Sequence, residues 1–293
     1  MKVPFNINLS GKTAIVTGGS GTLCSAMAYG LAVCGAKVAI IGRNKEKLAS
    51  VSEKLTKDAL DEYNKNVIVK GYSCNVINKD ELSAAYETIK NELGSCDILI
   101  NGAGGNQPGA ITSIEMLKKE KEDSDYSFWN LDEDRIRDVM DLNYMGTLLP
   151  IQVFTKDMVE KRSGSIINIA SVVGLAPEFA MTVYGATKAF VLFLSQGLSQ
   201  ELAPKGVYVQ AVLPAATRTE IWDRSGADIN AMTGVMDVEE LVDAALVGFD
   251  RRETITIPPL HKPELWAAFQ QARQVMLPEF AQEHAAGHYR TYS

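Results

Sequence analysis

Short apolar runs rich in β-branched residues alternate with longer amphipathic stretches almost to the end of the chain. Seven runs read as strands: Lys12–Thr17, Lys37–Gly42, Val67–Cys74, Asp97–Asn101, Ser165–Ala170, Val207–Leu213 and Thr254–Pro258. Most are continuously apolar rather than alternating, the pattern of strands covered on both faces. Between them the pattern predicts helices near 22–34, 44–64, 78–93, 131–161, 181–204 and 237–251. Such alternation predicts an α/β fold, a doubly wound parallel sheet of about seven strands with right-handed crossovers and helices on both faces. No internal repeat or low-complexity linker divides the chain, so residues 1–293 read as a single domain.

Two segments break the rhythm. An insertion from Gly105 to Asn130 follows the end of a strand and carries the charged run Lys118 to Asp123. Open α/β sheets bind ligands at that edge, so the insertion reads either as a lid or as solvated decoration. The second segment, Ala215 to Met236, lies on the same edge and contains Trp222. It is the better candidate for a loop that covers substrate.

Composition narrows the function classes. Apolar residues make up 46% of the chain, enough for a sizeable core, and the net charge is −7 with no long basic run. Nucleic acid and anionic membrane surfaces are therefore not expected partners. No apolar stretch has the length of a membrane span, and Met1 to Leu9 show no secretory pattern, so a cytoplasmic location is expected. Cys24, Cys34, Cys74 and Cys96 are scattered, and read as buried reduced thiols. His284 and His288 have the i, i+4 spacing of metal ligands on a helix, but with no third ligand in view they read as a surface coincidence and no metal is expected.

The first strand runs through Thr17-Gly18-Gly19-Ser20-Gly21-Thr22-Leu23-Cys24 into a helix. Glycines there permit a tight turn and let backbone N–H groups, from Gly18, Ser20, Gly21, Thr22 and Leu23, approach a diphosphate at the helix N-terminus. The motif is imperfect: Thr22 and Cys24 stand where glycines would be wanted. At the end of the second strand an NAD site would place a carboxylate on the ribose 2′-hydroxyl. This chain has Arg43 and Asn44 instead. Arg43 could pair with a 2′-phosphate, which favours NADP(H) over NAD(H). Asn101-Gly102-Ala103-Gly104 keeps the floor low at the fourth strand, and Asn75 beside Val76 could meet an adenine edge.

The sharpest chemistry is Tyr184-Gly185-Ala186-Thr187-Lys188, with Ser171 thirteen residues before the tyrosine. Tyr-x-x-x-Lys on a helix puts both side chains on one face, one turn apart. A free phenol titrates near ~10, and an adjacent ammonium is expected to lower that value. A serine hydroxyl at the same point could polarise a carbonyl.

These residues resemble, in order and along nearly the full length, the short-chain dehydrogenase/reductase family with its Rossmann-like sheet. The resemblance implies Tyr184 as general acid/base and Lys188 as the residue that lowers its pKa and binds the nicotinamide ribose. It implies Ser171 as the carbonyl-polarising hydroxyl and Asn143 as the amide holding a relay water. Asn101, Ala103, Gly104, Pro214, Thr217 and Thr219 join the cofactor site, Thr219 at the carboxamide. Gly102, Asn75 and Ala215 depart from the family pattern. Residues up to about 171 look like the D-mannonate oxidoreductase (fructuronate reductase) branch. The remainder looks like another branch, and a chimera fits that contrast. The implied activity is NADPH-dependent, reversible reduction of a ketone, with a sugar acid as one possible substrate. Dinucleotide binding without turnover, or an inactive chimera, are the alternatives. A homodimer or homotetramer is expected.

Overall fold

The computed structural model describes residues 7–105, 132–179, 181–220, 229 and 232–290, Arg135 in its backbone alone. Its chain divides into two compact units, Met1–Pro258 and Pro259–Ser293. The first holds a seven-stranded sheet in the order β3-β2-β1-β4-β5-β6-β7, every pairing parallel. The strands are β1 (Thr13–Thr17), β2 (Lys37–Gly42), β3 (Val69–Ser73), β4 (Ile98–Asn101), β5 (Gly164–Ile169), β6 (Val207–Val212) and β7 (Ile255–Thr256). Between them run α1 (Thr22–Val33), α2 (Lys45–Tyr63), α3 (Lys79–Glu92), α4 (Glu133–Lys161), α5 (Thr182–Leu202) and α6 (Val238–Asp250).

The continuous apolar strands fill two cores, one on each face. Ala14, Val16 and Ile40 pack with Met27 and Leu31 of α1, Leu48 of α2 and Leu246 of α6. Ile15, Ala39 and Ile41 pack with Leu82 of α3, Phe154 and Met158 of α4, and Leu202 of α5. Neighbouring strand residues serve opposite cores because side chains alternate across a sheet.

The helices begin in two ways. Asn44 caps α2 by accepting from the Lys47 N–H at 2.8 Å, and Asn78 caps α3 through the N–H groups of Asp80 and Glu81. By contrast α1 follows Gly21 and has no side-chain cap. Its orphan N–H groups point to the sheet edge where β1 ends.

Several expectations are corrected. The last strand shrinks to the two residues Ile255–Thr256, and β3 is trimmed at both ends. A helix that the sequence pattern did not reveal, α7 (Pro263–Met276), lies in the second unit with Pro263 in its first turn. Its Leu265 and Phe269 are exposed, so it lacks the buried face that makes a helix legible. His284 lies in a bend and His288 in the 3-10 turn Gly287–Tyr289, so their helical spacing is not realised. All four cysteines are free; Cys24, Cys74 and Cys96 are buried and Cys34 is half-buried. Among the described residues no helix is long and apolar enough to cross a membrane. No group of three or more His, Cys, Asp or Glu among them could hold a metal ion. The insertion, apart from Gly105, lies outside the described residues, as do Trp222 and Arg224, the latter one of two loop arginines, with Arg218, that could meet a substrate carboxylate.

Candidate active site

The loop after β1 is pressed flat against its neighbours. Gly18 has φ +67°, and a Cβ on it would stand 2.9 Å from the Ala103 backbone. On Gly19 a Cβ would lie 2.6 Å from Cβ of Ile40, so only glycine serves at either place. Gly19 N–H donates to the Ile41 carbonyl at 3.1 Å, and a Cβ on Gly42 would meet Ser20 Oγ at 3.4 Å, which sets the loop over the end of β2. From the other side Thr17 Oγ1 accepts from the Gly102 and Ala103 N–H groups, both at 3.1 Å. Leu23 is half-buried and packs against the first core. The result is a floor free of side chains that ends in the uncapped N-terminus of α1. Thr22 N–H there already holds a carboxylate, that of Glu220. A side-chain-free floor and an anion-holding helix start fit a dinucleotide diphosphate.

Around this floor the remaining cofactor candidates divide. Arg43 is exposed at the end of β2, and its carbonyl accepts from Ser73 Oγ at 3.1 Å. Asn44 Oδ1 is engaged as the cap of α2. Asn75 Oδ1 accepts from the Ile77 N–H at 3.3 Å in a local turn, and Val76 is buried. Asn101 is buried under the floor, its amide donating to Asn168 Oδ1 at 2.8 Å, which makes it a strut between β4 and β5. Pro214, at the end of β6, accepts from Ser171 Oγ at 3.1 Å and Val172 N–H at 3.0 Å. Thr217 is buried and bridges in parallel to Met236, while Thr219 is half-buried beside Glu220.

Tyr184 and Lys188 stand on one face of α5, with Lys188 Nζ 5.5 Å from the centroid of the phenol ring. Ser171 comes to them through the short 3-10 turn Val172–Gly174 that it caps. A Cβ on Gly174 would lie 2.7 Å from the Lys188 and Ala189 backbone, and one on Gly185 would lie 3.1 Å from the Val173 carbonyl. These two contacts lock the end of β5 against the Tyr184–Lys188 turn. Asn143, fully buried in α4, closes the third side. Its amide donates to the Gly105 carbonyl at 3.1 Å and to Thr187 Oγ1 at 2.9 Å, and Thr187 donates to the Tyr184 carbonyl at 2.8 Å. Gly105 N–H returns to Asn143 Oδ1 at 2.9 Å. Gly104 passes tightly between, where a Cβ would be 3.1 Å from Asn143 Oδ1 and 3.6 Å from Lys188 Nζ.

The electrostatics correct one expectation. Burial pushes the Tyr184 phenol above its ordinary value, where an adjacent ammonium was expected to lower it. Burial also pushes Lys188 down, to about 8, with Cys24 partly opposing. Lys188 is buried and Tyr184 half-buried, an environment that disfavours either charged form, and Lys188 Nζ donates to the Ile169 carbonyl at 3.0 Å rather than to the phenol. Tyr184 is therefore held as a neutral acid, able to give a proton.

Thr17, Thr187, Lys47 and Glu220 escaped the sequence reading. Thr17 and Thr187 sit inside motifs that were read for other residues. Glu220 meets its partner 198 positions away, which no local pattern reveals.

The family description "short chain dehydrogenase" matches residues 12–230, which include every residue of this site. The chain belongs to the short-chain dehydrogenase family. Among family members of known structure, one from Sphingobium yanoikuyae in complex with NADPH is 41% identical, with a TM-score of 0.81, and the match covers 95% of this chain and 100% of that one. A bulky-bulky ketone specific alcohol dehydrogenase from Comamonas testosteroni is 40% identical, with a TM-score of 0.77, over 96% of this chain and 99% of that one. A protein from Haemophilus influenza described as a D-mannonate oxidoreductase, with bound NAD, is 31% identical, with a TM-score of 0.72, over 86% of this chain and 95% of that one. This short-chain dehydrogenase is thus an oxidoreductase, similar to relatives that differ in the dinucleotide they carry.

Proposed function

We propose that this short-chain dehydrogenase reduces a ketone to a secondary alcohol with NADPH, reversibly. The observation that carries the proposal is the packing of the Val172–Gly174 turn on α5, which brings Ser171 to the Tyr184–Lys188 turn. NADPH, when bound, supplies the hydride. Tyr184, kept neutral by burial, donates a proton to the carbonyl oxygen. Ser171 turns its hydroxyl from the Pro214 carbonyl toward that oxygen and stabilises its developing charge. Lys188 binds ribose hydroxyls and, titrating near 8, passes replacement protons at neutral pH. Asn143 is a positioning residue that ties the β4 loop to the first turn of α5 through Thr187.

The preference for NADPH rests on Arg43, exposed at the end of β2 where no carboxylate stands beside it in sequence. Likeness to an NADPH complex over 95% of the chain points the same way. A sugar-acid substrate has less support. Of Arg218 and Arg224, either of which could meet its carboxylate, Arg218 has its guanidinium 3.4 Å from Asp237. A panel of ketones assayed with NADPH and with NADH tests the proposal. NADPH is expected to be preferred, and Arg43→Asp to shift the preference toward NADH. An unchanged preference in that variant would remove Arg43 as the discriminator.

A further inference from the structure

The N-terminus of α1 has no side-chain cap, yet it carries an anion from the chain itself. The Glu220 carboxylate accepts from the Thr22 N–H at 3.2 Å to Oε1 and 3.0 Å to Oε2. Thr22 Oγ1 also donates to Oε2. From another element Lys47, in the first turn of α2, brings its ammonium within 3.5 Å of Oε1. Gly21 leaves room for the approach, since even a Cβ there would clear Oε1 by 3.5 Å. A carboxylate is stabilised at a helix N-terminus by the dipole and by charge-assisted hydrogen bonds. Here two donors of one residue and a lysine from a second helix converge on it.

Glu220 is delivered by an anchored backbone. Thr217 bridges to Met236, Arg218 N–H donates to the Met236 carbonyl at 3.0 Å, and Met236 N–H donates to the Ala216 carbonyl at 2.9 Å. The carboxylate therefore sits two residues beyond a backbone segment pinned at Thr217 and Arg218.

We propose that Glu220 is an internal competitor for the cofactor diphosphate, held on Thr22 and Lys47 until the dinucleotide displaces it. The proposal rests on the dinucleotide reading above. Two anions cannot share one set of donors, so binding requires the carboxylate to leave. Lys47 then pairs its ammonium with the incoming phosphate in place of the carboxylate. Because Thr219 adjoins Glu220, displacement also moves the backbone beside the residue implied to meet the carboxamide. The apparent cofactor affinity is the intrinsic affinity reduced by the fraction of molecules in which Glu220 has released the site.

The test is a titration of NADPH fluorescence on the full chain, comparing the parent with Glu220→Gln and Glu220→Ala. Both variants are expected to bind NADPH more tightly, by roughly five- to a hundredfold, the range of an ordinary coupling between two sites. The Gln variant keeps the shape of the side chain, so it gives an answer should the Ala variant fail to fold. Equal or weaker binding in the variants than in the parent overturns the role of Glu220 and leaves the dinucleotide reading intact. Failure of all three to bind either NADPH or NADH overturns both.

Discussion

Lys188 is buried and Tyr184 half-buried beside it, and desolvation moves their proton affinities in opposite directions. The lysine carries a consequence for stability. Folded, Lys188 releases its proton near 8, against 10.5 ordinarily. Between those values the unfolded chain binds more protons, so stability rises with pH across that window, and the penalty is full below 8. Lys188→Met is therefore expected to raise the melting temperature at pH ~7 while abolishing turnover, and the gain shrinks toward pH ~10. Thermal melts at the two pH values check this, and a gain equal at both would contradict it. The pairing of Tyr184 with Lys188 was legible because helical periodicity is local, whereas Ser171 lies outside that helix and joined them through the family resemblance. Which effect sets the phenol was not, since desolvation comes from segments distant in sequence. Glu220 illustrates the same limit: its carboxylate meets Thr22 only once β1 and β6 share a sheet.

At the scale of elements, α1 approaches the end of β4 at one point where two departures from the family pattern meet. Cys24 Sγ occupies the space that a Cβ on Gly102 would take. The cysteine in the helix and the glycine in the loop are thus one packing solution. Burial pushes that thiol up to about 12, so it serves as a small apolar filler. Gly102→Ala alone is expected to destabilise by about 1–3 kcal/mol through overpacking. Adding Cys24→Ala removes the sulfur and should recover most of that loss, a coupling measured by denaturant unfolding of the four proteins in the cycle. Additive effects would show that the two positions do not share the space. From sequence, the two departures read as separate risks to the glycine loop. The elements themselves were legible wherever a segment buries a face, as β1 to β6 and α1 to α6 do. Where burial is slight, as in α7, the pattern carries little signal.

For the whole molecule, the parallel sheet gathers the ends of β1, β2, β4, β5 and β6 along one edge. Residues from Gly18 to Glu220 meet there although the chain separates them widely. Their order was legible as a family pattern, and so was the doubly wound sheet, because continuous apolar strands alternating with helices admit few other arrangements. The division at Pro258 was not, since no composition shift marks it. This edge is proposed to perform a carbonyl reduction in which Tyr184 gives the proton. The most direct measurement is ketone-dependent consumption of NADPH by the parent and by Tyr184→Phe, beside the NADPH dissociation constant of each. We predict consumption by the parent, a loss of about 10²–10⁴-fold in turnover for the variant, and an unchanged dissociation constant. A variant as fast as the parent, or a parent that binds NADPH and reduces no ketone, would contradict the account.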